Sequence, residues 1–317
     1  MLLNDINDFL LFCELTRQYS QTTIRNYSHT LRRLYDFLVE NKIDTSEKIE
    51  PKIIDRYRLY LDSQISSRGE KLNNKTLAYQ IIVLRSFLKY LLEQNRNVSP
   101  PEKFILPKTQ SRQIEYLTNQ EIKQILEVID ITQMSKDVHL NEIIKARNKA
   151  IIQTIAHSGL RISEVLNLPK SSLINEESRL IIRGKGGKVR SAFISNQSMD
   201  LILKYLEIRG QDDNPYLFVA STLQNHRPLT TRSAQQMVQK YALLAGINKK
   251  ITPHVFRHSF ATTALKKGAD IRSVQVMLGH SNISTTQLYT HVTDTELEQT
   301  HSKIFNDVLL AAEQRGI

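Results

Sequence analysis

Ser99-Pro100-Pro101 and, a few residues on, Pro107-Lys108-Thr109-Gln110-Ser111-Arg112 interrupt an otherwise well-patterned chain. Proline offers no backbone N–H to a helix and holds the backbone extended, so this stretch reads as a linker. It predicts two domains, residues 1–100 and 116–317, joined by a linker over 101–115. Upstream of it, apolar residues recur at helical spacing in four segments. The first carries Phe9, Phe12, Leu15 and Tyr19. The second carries Ile24, Tyr27, Leu31, Leu34, Phe37 and Leu38 behind a capping Ser20. The third runs from Pro51 to about Gln64, and the fourth follows Asn73-Asn74 with Leu77, Ile81, Leu84, Leu88 and Leu91. Four amphipathic helices make a small bundle.

Downstream, Thr118 with Glu121 three residues later forms a capping-box signature that opens the second domain. That domain reads as helical with one β element. Ser178–Ile182 and Val189–Ile194 are short runs rich in β-branched residues, and Gly184-Lys185-Gly186-Gly187-Lys188 between them is a hairpin signature. Helical patterns return at about 196–208, 231–245, 254–268 and 270–278, and a final amphipathic segment spans about 294–312. The fold class is therefore mainly α with a small β-hairpin in the second domain.

Composition narrows the function. Of 317 residues, 40% are hydrophobic and 24% charged, which is ordinary for globular domains. Lys and Arg total 43 against 32 Asp and Glu, a net charge of +11. So basic a chain suits a polyanionic partner, DNA or RNA, although a solvated basic surface has the same charge. Lys75, Arg85 and Lys89 on the fourth helix, with Lys108 and Arg112 in the linker, are the candidate phosphate contacts. The one cysteine, Cys13, lies in an apolar run and reads as core, which fits a reducing compartment. The N-terminus has acidic residues where a signal peptide wants basic ones, and no apolar run reaches membrane-spanning length. A cytoplasmic, nucleoid-associated protein with no membrane partner is expected.

Five segments of the second domain gather Arg, Lys, His and Tyr. Gly159-Leu160-Arg161-Ile162-Ser163-Glu164 puts Arg161 at a helix break, with Glu164 placed to orient it. A guanidinium fork suits two phosphate oxygens, but taken alone this segment reads first as a surface Arg–Glu pair. Lys185 sits at the hairpin tip, from which it could reach a phosphate or a leaving oxygen, although a solvated turn is by far the commoner setting for such a lysine. Thr252-Pro253-His254-Val255-Phe256-Arg257-His258 reads as N-cap, N1 and a first helical turn, with His254 and Arg257 spaced i, i+3. His258 adds an i, i+4 pair with His254. The H-E-x-x-H pattern is missing, and with it the case for metal; a structural hydrogen bond or packing is expected of His258. His280 follows Gly279, and Tyr289 lies nine residues on. The set is cationic and rich in donors, without clustered carboxylates for Mg²⁺ or a Gly-rich loop for ATP. It suits phosphoryl transfer in which the protein's own cations stabilise the transition state.

In order and wording, these segments and the run Val274-Gln275-Val276-Met277-Leu278-Gly279-His280 through Thr286-Gln287-Leu288-Tyr289 resemble successive boxes of the tyrosine recombinase (phage integrase) family. The Xer-type branch is nearest in wording. The resemblance implies a SAM-like core-binding bundle followed by a tyrosine recombinase catalytic domain. It implies Tyr289 as nucleophile, forming a 3′-phosphotyrosine, Arg161 and Arg257 as clamps on the non-bridging oxygens, and Lys185 as proton donor to the leaving 5′-oxygen. His254 would assist proton transfer from Tyr289, His280 would hydrogen-bond the phosphate, and Glu164 would support the constellation. No cofactor is implied. The expected partner is duplex DNA with a specific recombination site, acted on by a homo- or hetero-tetramer joined through the C-terminal segment, with a partner recombinase or accessory protein as an option. Chromosome-dimer resolution and integration or excision of a mobile element both fit. A type IB topoisomerase-like relaxing enzyme and a non-catalytic DNA-binding regulator are the alternatives.

Overall fold

A computed structural model describes residues 2–64, 72–107, 115–173, 179–183, 189–220 and 229–279. The chain divides into two compact units, Met1–Arg112 and Gln113–Ile317.

The first unit is a bundle of α1 (Leu2–Leu15), α2 (Gln21–Glu40), α3 (Pro51–Ser63) and α4 (Asn74–Glu93). Ser20 and Asn73 cap α2 and α4, each accepting a hydrogen bond from the backbone N–H three residues on. The helices bury Ile6, Phe9 and Cys13 of α1, Leu31, Leu34 and Leu38 of α2, Ile54, Tyr57 and Leu61 of α3, and Ile81, Leu84, Phe87, Leu88 and Leu91 of α4. Phe9 and Phe87 meet at 5.5 Å between ring centres, in the middle of this core. Burial pushes the Cys13 thiol up to about 11, so it stays protonated and behaves as a small apolar group.

Two expectations need correction here. The buried stripe of α1 is Leu2, Asp5, Ile6, Phe9 and Cys13, not Phe9, Phe12, Leu15 and Tyr19: the helix stops at Leu15, which is 67% exposed. Leu2 and Ile6, not Leu15, complete the turn-by-turn spacing, and Asp5 is buried among them. Asp5 accepts hydrogen bonds from Ser46 Oγ (2.6 Å) and Arg96 Nη2 (3.1 Å). The second correction concerns the start of the linker. Pro101–Lys103 form a turn of 3₁₀ helix, and Phe104 is only 2% exposed because its ring joins the bundle core. An aromatic ring between prolines gains more from burial than the extended chain gains from solvation.

The second unit is built around α6 (Val138–Ser158), against which α5 (Asn119–Ile131), α8 (Asn196–Arg209) and α10 (Pro253–Lys266) pack. Short α7 (Ile162–Leu166), α9 (Thr231–Leu244) and α11 (Ile271–Leu278) complete its helices among the described residues. Thr118 and Glu121 close a reciprocal capping box at the start of α5. Strands β1 (Arg179–Arg183) and β2 (Val189–Phe193) pair antiparallel, with Leu180 opposite Ala192 and Ile182 opposite Arg190. Leu180, Ile182 and Ala192 are buried, while Ile181, Ser191 and Phe193 face outward, the period-two alternation of a half-buried sheet. Val274 and Leu278 of α11 pack on Ala261 and Leu265 of α10 in a small satellite core. No helix among the described residues is long and apolar enough to cross a membrane.

Replacing Phe87 with alanine should lower the unfolding free energy of the first unit by about 3–5 kcal/mol, the usual cost of emptying a buried aromatic site. Denaturant unfolding of the full chain reads this. An unchanged midpoint would place Phe87 outside the core.

Candidate active site

The site is assembled where four helix ends meet, those of α6, α7, α10 and α11. α6 ends at Gly159, which takes the left-handed conformation (φ +63°) and turns the chain into Leu160 and Arg161. A Cβ at Gly159 would lie 2.5 Å from Phe260 Cδ1 and 2.9 Å from Leu278 Cδ2, so close packing as well as backbone geometry requires glycine here. Leu160 is buried and anchors the turn, which leaves Arg161 at the N-cap of α7 with its side chain 43% exposed.

Glu164, one turn into α7, reaches back. Its Oε2 accepts from the backbone N–H of Arg161 at 2.9 Å, and its Oε1 accepts from Arg161 Nη1 at 3.1 Å. One carboxylate thus caps the helix and aims the guanidinium, as the spacing predicts. Its side chain is only 9% exposed, whereas the outer edge of Arg161 stays open to solvent.

α10 supplies the second arginine. Pro253 occupies its first position and Thr252 the N-cap, though the Thr252 hydroxyl makes no capping bond. Arg257 is 2% exposed; its Nη1 donates to Gly159 O at 2.6 Å and its Nη2 to Leu278 O at 2.7 Å. Both acceptors lie at helix C-termini, whose carbonyls lack partners within the helix and carry partial negative charge. The guanidinium therefore ties the end of α6 to the end of α11.

His254, one turn before Arg257, is exposed. Desolvation against its neighbours, then the positive charges of Arg257 and Arg161, hold its imidazole below the usual histidine value, so it is neutral at pH 7. Both arginines thus act on one ring, Arg257 more strongly than Arg161. His258 stands edge-on to His254 at 5.0 Å between ring centres. Burial, then His254 and Arg257, pushes it down to about 4. No third metal-binding side chain gathers beside this pair among the described residues.

A further arginine, absent from the sequence reading, enters from β2. Arg190 Nη1 donates to Met277 O at 3.1 Å, and its Nη2 lies 3.3 Å from Glu164 Oε2. The signal was present: in Val189-Arg190-Ser191-Ala192-Phe193 the alternation that buries Ala192 sends Arg190 to the same side. Of the other expected site residues, Lys185, His280 and Tyr289 lie outside the described residues, as do Lys108 and Arg112. In the first unit, Lys75 and Lys89 are exposed on α4 and Arg85 is half-buried. At 100° per residue the three fall within about 80° of one another, opposite the buried stripe.

The described part of the site is a donor-rich junction of Arg161, Arg190 and Arg257 in a mainly helical unit. The phage integrase family model matches residues 115–296, and the phage integrase N-terminal SAM-like domain matches residues 6–95. The chain belongs to the phage integrase family. It is 34% identical to the tyrosine recombinase XerC of Actinobacillus succinogenes over 295 residues, covering 91% of this chain and 92% of that protein. It is 31% identical to XerC of Leptospira interrogans over 298 residues, covering 93% and 91%. Among solved structures, XerH bound to a palindromic difH substrate in a post-cleavage complex matches with a TM-score of 0.71 at 24% identity, over 94% of this chain and 84% of that one. A lambda integrase dimer bound to a COC′ core site matches at 0.67 and 15% identity, over 90% and 94%. These last two likenesses are of fold.

Two predictions concern this junction. Gly159→Ala combines positive-φ strain with overpacking, while Gly246→Ala, also at positive φ (+73°) after a helix end but with nothing within 4 Å of the added methyl, carries the strain alone. Gly159→Ala should be the less stable of the two by about 1–3 kcal/mol in denaturant unfolding, and equal losses would contradict the close packing. The second follows from His258. In the unfolded chain it takes up a proton near pH 6.5, but when folded only near pH 4, so folding stability falls as pH drops through that window. A midpoint-against-pH curve should decline there more steeply in the wild type than in His258→Gln, where His254 and His157, also held below their ordinary values, leave a smaller slope. Parallel curves would remove His258 as the cause.

Proposed function

We propose that this protein is a site-specific DNA recombinase that cuts and rejoins strands through Tyr289. The reading rests chiefly on the Arg161–Glu164–His254–Arg257 cluster, found in a chain whose two halves match the two family models. The Tyr289 hydroxyl attacks the scissile phosphate, the 5′-oxygen departs with a proton, and a 3′-phosphotyrosine remains. A 5′-hydroxyl from a second strand reverses the step, which conserves the phosphodiester energy, so neither ATP nor a metal ion is called for.

Free tyrosine ionises near pH 10 and needs help at neutral pH. A neutral His254 accepts its proton. Arg161, with its exposed edge, and Arg257 balance charge on the non-bridging oxygens. Lys185 protonates the leaving oxygen, and His280 donates to the phosphate. Lys75, Arg85 and Lys89, together with Lys108 and Arg112, hold the DNA backbone, which makes binding strongly salt-dependent.

The XerC relatives favour strand exchange over simple relaxation or a non-catalytic regulator. The solved neighbours include recombinases bound to DNA, one of them a dimer. For this chain we infer a tetramer on two DNA sites, working in the cytoplasm at the nucleoid. A cavity of about 730 Å³ in the second unit has an apolar part, Ile122, Leu126, Ala156 and Phe260, rimmed by polar Gln153, His157, Ser195 and Lys267. It suits the tail residues Leu297, Ile304, Val308 and Leu309 of a neighbouring subunit.

Nicked duplexes tiled across the protein's own locus, incubated without metal or ATP, test the central claim on a denaturing gel. The wild type should form a covalent protein–DNA adduct that Tyr289→Phe abolishes. Tight DNA binding with no adduct on any duplex would overturn the recombinase reading.

A further inference from the structure

Arg190 stands where alternation in a half-buried hairpin calls for an apolar side chain. Opposite it across the sheet is Ile182, and two residues along its own strand is Ala192, both buried. A cation on the inward face of a sheet is costly unless its donors are met, and here they are met by two different elements. Nη1 donates to Met277 O at 3.1 Å, and Nη2 reaches Leu278 O at 3.5 Å, at the C-terminal end of α11. The same Nη2 pairs with both carboxylate oxygens of Glu164, at 3.3 and 3.4 Å. The side chain is 23% exposed, less than Arg161 on the other side of the same carboxylate.

Gly279 carries an independent mark of the same contact. It caps α11 at φ +64°, and a Cβ there would lie 2.6 Å from Arg190 Cζ and 2.7 Å from Nε. The chain leaves α11 without a side chain at the one point where the guanidinium passes. A continuous series of hydrogen bonds and ion pairs results. It runs from Gly159 O through Arg257 to Leu278 O, and from there through Arg190 to Glu164 and Arg161.

We propose that Arg190 is a positioning residue for strand cleavage, tying Glu164, and through it Arg161, to the C-terminal end of α11. It touches no reacting atom. Held from one side only, Glu164 could swing with the exposed Arg161 guanidinium. Held from both, it fixes that guanidinium relative to the peptide that leads into His280. The role rests on the recombinase reading above. Lysine cannot replace the arginine fully, because a single ammonium lacks the fork that spans a carboxylate and two carbonyls.

The full-length protein and the nicked duplex giving most adduct with wild type supply the test. At saturating DNA, Arg190→Gln should form adduct about 10- to 100-fold more slowly, with DNA affinity within about twofold of wild type, the pattern of a misplaced group acting only in the transition state. Arg190→Lys should lie between the two. The decisive readout is the pair: adding Arg190→Gln to Glu164→Gln should slow cleavage no further than Glu164→Gln alone, since both break one link. Equal rates for wild type and Arg190→Gln, or losses that multiply in the double variant, would overturn the proposal. If Arg190→Gln does not fold, Arg190→Lys answers in its place, and wild-type rates from it would overturn the need for the fork. No adduct from the wild type itself, against the Tyr289→Phe control, would instead overturn the recombinase reading.

Discussion

A buried guanidinium bridging two helix C-termini is the constraint on which the second unit depends. Arg257, at 2% exposure, holds Gly159 O and Leu278 O within 2.7 Å of its two terminal nitrogens. Each helix ends with carbonyls that its own backbone cannot satisfy, and in a water-poor interior a charged donor is the strongest partner available. Without that cation, two helix ends would face one another like pole to like pole. With it, the loop bearing Arg161 and the end of α11 have a defined relation.

The other parts of the site follow from that junction. Gly159 must be glycine because α6 and α10 come close enough there for Phe260 to fill the space of a methyl group. Arg161 can project because Leu160 is buried beneath it, and Glu164 can aim it because both lie in the first turn of α7. The division of labour between the two arginines comes from burial. Arg257 braces the scaffold while Arg161 keeps an open edge, although both stand in sequence as arginines beside helix termini. Desolvation first, and then the same two charges, hold the His254 imidazole below its ordinary value.

Much of this was legible in the chain. The capping signatures at Ser20, Asn73 and Thr118, the proline at the start of α10 and the Gly-rich hairpin all mark element boundaries found in the structure. α6 was harder to see. It is buried on most sides and carries Arg147, Asn148, Gln153 and Thr154 inside, so it shows no clean apolar stripe. The buried Asp5 disguised α1 in the same way, its charge satisfied by Ser46 and Arg96, which are distant in sequence. Local pattern reading assumes that polar means exposed, and it fails where a remote partner meets the polar group.

The sequence by itself determined the two-part helical organisation, the hairpin and the family, because periodicity, capping and short motifs are local and survive without a third dimension. It also named the Arg161–Glu164 pair, since three residues along a helix are neighbours by geometry alone. Only the tertiary structure decided that Arg257 is a buried brace, that Phe104 belongs to the bundle, and that Arg190 joins Glu164 to the end of α11. The arginine contacts bring together residues 21 to 98 positions apart. No local rule reaches such partners; only packing selects them.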